Sequence, residues 1–149
     1  MPTETQQLNT SLGHSITAFT NDHVGDKIAR NGLYEKENLS LLLQLLKKIT
    51  TPVVLDIGAN IGNHALAFST VANKVLAFEP LPAVYALLDR NVTQNNITNI
   101  QTFPFALSDV EEDATIFMVS EGNVGASSFD KRNDNVEAVT VSKKIGDKV

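Results

Sequence analysis

The chain has 149 residues, enough for one domain with a sizeable core, and its hydrophobic fraction of 42% and charged fraction of 19% are those of a soluble globular protein. A formal net charge of -5 argues against nonspecific nucleic-acid binding, which a basic field would drive. With no cysteine there is no disulfide framework and no thiolate metal site, and His14, His23 and His64 lack the spacing that puts two ligands on one helix face, so no structural metal is expected.

Residues 1–13 are polar and rich in Thr, Gln and Asn, which predicts a frayed start. The expected organisation is a polar, partly disordered segment over 1–20 and a single domain over 21–149. The first twenty residues lack the basic start and apolar core of a signal peptide, and no run approaches a membrane span, so the default location is the cytoplasm. Four N-x-[ST] sequons begin at Asn9, Asn38, Asn91 and Asn96, and without a secretory signal they read as chance.

Residues 15–22, SITAFTND, predict a short strand, and 24–30 a helical turn closed by Asn31-Gly32. Over 33–49, Leu39, Leu42, Leu43, Leu46 and Ile49 recur at three- and four-residue spacing, which predicts a helix covering the sheet. Its acids Glu35 and Glu37 lie early and its bases Lys47 and Lys48 late, as the helix dipole favours, and Pro52 stops it.

Residues 53–68, VVLDIGANIGNHALAF, carry the densest signal. The apolar run from Val53 to Leu55 reads as a parallel strand covered on both faces. Gly58 and Gly62 then let the backbone turn sharply and lie close to a ligand. The backbone N–H groups opening the next helix, over about 61–71, carry partial positive charge. Strand, glycine loop and helix together predict a nucleotide or cofactor cradle. The spacing is D-x-G-x-N-x-G: Asn60 breaks the G-x-G-x-x-G of a dinucleotide site, and Gly62 is followed by Asn63 and His64 where a phosphate-binding P-loop needs Lys and Ser or Thr. Asp56, ahead of the first glycine, disfavours a polyphosphate and favours a ligand with a cationic amino group. S-adenosylmethionine has that polarity.

A second apolar run, KVLAFEP over 74–80, ends in Glu79, about twenty residues beyond the glycine loop, where an α/β cofactor fold puts the carboxylate that accepts from ribose hydroxyls. Pro82 opens an amphipathic helix carrying Val84, Tyr85, Leu87, Leu88 and Val92 and ending near Asn95-Asn96. A third strand is expected over 100–106, with Ala106, Leu107, Ser108 and Asp109 on the same rim as Gly58 and Glu79. Strands alternating with helices imply an α/β fold with a parallel sheet. Beyond Asp109, strands over 114–119 and 136–141 flank a polar loop over 120–135, and the simplest reading is a hairpin appended to the sheet.

On these residues the chain resembles the FkbM-type S-adenosylmethionine-dependent methyltransferases. The shared stretches are GLYEKENL at 32–39, LDIGANIGNHAL at 55–66, AFEPLPAVYALL at 77–88, ALSD at 106–109 and GASSF at 125–129. The resemblance implies a Rossmann-like class I methyltransferase fold in which Asp56, Gly58, Asn60 and Gly62 surround the methionine moiety and Glu79 binds the ribose. It also implies that Ala106, Leu107 and Ser108 flank the adenine, and that the acceptor is a hydroxyl, often on a sugar or secondary metabolite. His64 either orients ligand or substrate or is structural, and no catalytic base is named. The family's fourth strand, with its acidic K-x-D-x-E-G-type motif, has no counterpart before Val149, so the expected fold is truncated after the third strand and a hairpin. The expected consequences are an exposed edge on the first strand of the sheet, self-association through it, and low stability and activity for this chain alone. The alternatives are a non-catalytic cofactor-binding or interaction remnant, and an NAD-dependent oxidoreductase, which the broken glycine pattern disfavours.

Overall fold

The structure is a computed structural model that describes residues 4–119, 126–130 and 136–148. Its centre is a three-stranded parallel sheet, ordered β3 (Val53–Ile57), β4 (Lys74–Phe78), β5 (Ile100–Phe103). The strands are joined by α3 (Asn63–Ser69) and α4 (Pro82–Gln94). Proline at the first turn of α4 removes a backbone N–H that would have had no helical partner. Val84, Leu87, Leu88, Asn91 and Val92 recur at helical spacing and are buried, while α3 buries Ala65, Leu66, Ala67 and Phe68. The sheet's carboxyl rim therefore carries Gly58 beyond β3 and Glu79 beyond β4, and Glu79 N–H donates to Phe103 O at 3.0 Å.

The fraying expected over residues 1–13 and the partial disorder expected over 1–20 give way, from Thr5, to an ordered hairpin whose second strand lies within the strand expected over 15–22. Strands β1 (Thr5–Asn9) and β2 (Ser15–Phe19) pair antiparallel, and Ile16 and Ala18 are fully buried. The physical reason is polar: α4 supplies side-chain amides that satisfy the inner strand's backbone. Asn91 Oδ1 accepts from Thr17 N–H at 2.7 Å, and Asn91 Nδ2 donates to Thr17 O at 2.9 Å and to Ile61 O at 2.8 Å. Asn95 Oδ1 accepts from Ser15 N–H at 2.8 Å. A count of apolar residues misses this kind of anchoring. It also removes Asn91 from any role as a glycan acceptor, since its exposure is 0%.

Helix α1 (His23–Asn31) is capped by Asp22, whose carboxylate accepts from Val24 N–H, and it ends at Gly32 in the left-handed region. Helix α2 (Lys36–Leu46) is shorter than the expected 33–49, because Glu35 takes a left-handed conformation at φ 50°. Leu39 is fully buried, but Leu42 and Ile49 stay 43% and 55% exposed, so only part of the leucine face covers the core.

Two further expectations are corrected at the sheet's edges. The strand expected over 100–106 ends at Phe103, because Pro104 has no N–H to continue the ladder. Ala106–Ser108 forms a separate strand, β6, in a second sheet ordered β6-β8-β7 with β7 (Glu112–Val119) and β8 (Val136–Ile145). The hairpin thus builds its own sheet with β6, and does not extend the first. At the other side β3 is an edge strand, and Val53, Leu55 and Ile57 are 56%, 55% and 64% exposed. Their apolar character matches a strand covered on both faces; here only one face is covered.

Replacing Asn91 with alanine strands the N–H and O of Thr17 and the O of Ile61 in the interior, and should lower unfolding free energy by about 2–4 kcal/mol. Urea titration measures this; a loss within experimental error would show that the hairpin does not depend on this amide.

Candidate functional site

The loop from β3 to α3 passes through the left-handed region three times in five residues: Gly58 at φ 78°, Asn60 at φ 52° and Gly62 at φ 93°. At Gly62 an added Cβ would also lie 2.8 Å from Leu88 Cδ1, so this glycine is needed for packing onto α4 as well as for conformation. At Gly58 nothing lies within 4 Å of an added Cβ, and the space above it is open. The loop's backbone N–H groups are already used. Those of Gly58 and Ala59 both donate to Phe78 O at 2.9 Å, and that of Gly62 to Ala59 O at 2.9 Å. Asn60 N–H donates to Glu79 Oε2 at 3.0 Å, and Ile61 N–H to Asn60 Oδ1 at 2.7 Å. The helix that follows is tied down in the same way: Asn63 exchanges two 3.1 Å bonds with the backbone of Tyr34.

What the loop offers a ligand is negative charge. Glu79 is 6% exposed, and its second oxygen accepts from Leu81 N–H at 2.9 Å. Burial pushes its carboxyl above the usual range, the Leu81 and Asn60 N–H groups pull it back, and Asp56 pushes it up again. Asp56 is also raised by burial, offset by His64 and by the backbone N–H of Ala65. Its Oδ2 is buried with no hydrogen-bond partner among the described residues. An orphaned carboxylate oxygen beside a second buried carboxylate suits a cationic or hydroxyl-rich ligand and repels a phosphate. The residues present therefore fit the amino-acid and ribose parts of the cofactor implied by the sequence.

Two cavities meet at the loop. One, of about 180 Å³, is lined by Gly58, Asn60, Glu79 and Leu81, with Ile116 and Phe129 opposite. The other, of about 230 Å³, lies on the α1 side between Tyr34, Gly58, Asn60 and His64. Of the residues singled out in the sequence, Gly58, Asn60 and Glu79 line these cavities, whereas Asp56 and Gly62 line neither. Ala106, Leu107 and Ser108 stand on β6, and the wall facing Glu79 is made by Ile116, Ser127 and Phe129 instead. The GASSF stretch was the signal for that wall; its Gly125 lies outside the described residues. Tyr34 was also missed as a site residue, although it sits in the GLYEKENL stretch. Among the described residues no group of three or more His, Asp or Glu is placed to hold a metal ion, and no helix is long and apolar enough to cross a membrane.

A carboxyl whose folded-state pKa is raised opposes folding when ionised, and the penalty is relieved as pH falls through the raised value. Asp56→Asn should therefore raise the melting temperature at neutral pH, with the gain fading on acidification toward the ordinary aspartate range. Thermal melts across pH test this; a gain of the same size at every pH would contradict it.

The chain matches the methyltransferase FkbM domain over residues 56–148, more than half its length. No curated protein matches it. Among solved structures, the SAM-dependent methyltransferase from Agrobacterium tumefaciens is 14% identical over 69% of this chain and 33% of that chain, with a TM-score of 0.54. SMU.1697c from Streptococcus mutans, in complex with SAH, is 23% identical over 46% of this chain and 40% of that one, with a TM-score of 0.41. Trm5 from Methanocaldococcus jannaschii, in complex with adenosine, is 17% identical over 68% and 29%, with a TM-score of 0.48. The chain thus spans well under half of the solved structures that it matches, and the Agrobacterium likeness supports a Rossmann-like fold. By the domain match, the chain belongs to the FkbM methyltransferase family.

Proposed function

We propose that this domain binds S-adenosylmethionine and takes part in methyl transfer to a hydroxyl oxygen of an acceptor such as a sugar or secondary metabolite. The observation that carries the reading is the state of the loop: every N–H from Gly58 to Gly62 is already bonded within the protein, while two buried carboxylates, Asp56 and Glu79, flank it and Glu79 lines the cavity beside it. A pyrophosphate cradle needs free N–H groups, so a nicotinamide dinucleotide fits poorly. A ligand with an ammonium, a sulfonium and ribose hydroxyls uses what is present.

Asp56 Oδ2, with no hydrogen-bond partner among the described residues, faces the ammonium in this reading. Glu79 spends one lone pair of each oxygen on the Asn60 and Leu81 N–H groups, leaving the others for ribose hydroxyls. We assign the base to the wall formed by Leu81, Ile116 and Phe129, in place of Ala106, Leu107 and Ser108. The cofactor supplies an electrophilic methyl group. The chain's task is alignment and exclusion of water, and alignment alone is worth about 7–11 kcal/mol when the geometry is ideal.

Calorimetric titration tests the reading. S-adenosylmethionine and S-adenosylhomocysteine should bind saturably and NAD should not; NAD binding without a response to S-adenosylhomocysteine would overturn the assignment. Glu79→Ala should weaken binding by roughly 1–3 kcal/mol. Preference for the sulfonium over the neutral thioether should shrink as acid protonates Asp56 and Glu79, whose carboxyls are both raised.

We also infer that the open edge of β3 pairs with a second copy, because unpaired strand backbone there adjoins the exposed side chains of Val53, Leu55 and Ile57. In analytical ultracentrifugation Leu55→Lys should shift the chain toward monomer. Identical sedimentation of variant and parent would remove this inference.

A further inference from the structure

On the far side of Tyr34 from the loop lies an open cleft of about 670 Å³ between α1 and the start of α2. Such a volume is that of a small-molecule site. His23, Lys27 and Arg30 follow one another at i, i+4 and i+7 on α1, so they project from one stripe of the helix into the cleft, and Lys36 faces them from α2. Among the described residues no carboxylate lies within ion-pair distance of Lys27, Arg30 or Lys36. The cleft wall sets the three cations Lys27, Arg30 and Lys36 against two acids, Glu35, which lies 3.6 Å from His64 Nε2, and Glu37. A local excess of positive charge on a chain of net charge -5 calls for an anionic partner.

The cleft also leads to the loop. Tyr34 lines both this cavity and the one containing Gly58, Asn60 and His64, and its ring meets His23 and His64 edge-on at 6.0 Å and 6.2 Å. Gly58 and Asn60 in turn line the cavity that contains Glu79. The path runs from the cationic cleft, past Tyr34 and His64, to the loop assigned to the cofactor.

We propose that this cleft is the acceptor subsite and that the acceptor is a small hydroxylated molecule bearing an anionic group, a phosphate or a carboxylate. The anion is held by Lys27, Arg30 and Lys36, and the hydroxyl is presented past Tyr34. This assignment rests on the methyltransferase reading above for the word acceptor, but not for the binding itself.

The experiment uses the chain with S-adenosylhomocysteine present and titrates three probes by NMR: glucose, glucose 6-phosphate and glucuronate. One or both of the anionic probes should bind at Lys27, Arg30 and Tyr34 with at least about tenfold higher affinity than glucose, as expected for one charge-assisted contact. Which of them binds tells phosphate from carboxylate recognition. Lys27→Glu with Arg30→Glu should abolish the preference. Both side chains are exposed on α1, so the melting temperature should hold, and Lys74→Glu at the distant start of β4 should leave the preference intact. Equal affinity for glucose and both anions, or a preference that survives the double charge reversal, would overturn the proposal. If S-adenosylhomocysteine binds and no anion does, the cleft assignment fails alone. If anions bind through Lys27 and Arg30 but no S-adenosyl ligand binds, the site stands and the methyltransferase reading fails.

Discussion

The Glu79 carboxylate bonds two backbone N–H groups that belong to different connections: Asn60 in the loop after β3, and Leu81 at the entry to α4. One side chain at the end of β4 therefore holds the turn on its left and the helix start on its right. Asn60 can keep its left-handed conformation because this bond and its own side chain's bond to Ile61 N–H define the loop from both sides. Gly62, with no side chain, lets the same loop settle against Leu88 of α4. The loop, the sheet rim and the two helices are thus referred to a single buried charge.

That arrangement has an energetic cost. Two carboxyls, at Asp56 and Glu79, are held above their usual range mainly by burial, and the Asp56 charge adds to the upward push on Glu79. Glu79 recovers part of the cost through its two N–H donors. Asp56 recovers less, since its Oδ2 has no partner among the described residues. A protein selected for stability alone would fill such a position with a neutral group; strain of this kind gathers where a ligand is to complete the bonding.

The parallel β3-β4-β5 unit was legible because its strands are continuous apolar runs and its turns carry Gly58, Gly62 and Pro82, residues whose backbone preferences act locally. Strand β4 occupies the residues that its apolar run predicts. Of the N-terminal hairpin only the inner strand was legible, over 15–22; that β1 would be ordered beside it was not, because what anchors the pair is the fit of Asn91, Gln94 and Asn95 to the backbone of Ser15 and Thr17. Hydropathy assigns those amides to the surface. Pro104 was visible as a break, yet that Ala106–Ser108 would leave for a second sheet depends on its pairing with β8, some thirty-five residues later. In the site, Asp56 and Glu79 were legible from their places at strand ends. The wall of Ile116 and Phe129 was not, since it depends on how the second sheet meets the first.

The hairpin's anchorage also dictates an order of events during synthesis. Thr17 finds its partner in Asn91, 74 residues later in the chain. At the usual elongation rate of about 5–20 residues per second, strand β2 leaves the ribosome roughly 4–15 seconds before the helix that satisfies it has been made. Throughout that interval Ile16, Ala18 and Phe19, all buried in the finished fold, have β1 and α1 beside them but not α4. A two-stranded hairpin is marginal in water by itself. The hairpin is therefore made before α4 yet becomes stable only after it, and the nascent chain presents an apolar strand to chaperones, or to its neighbours on a polysome, until α4 closes over it.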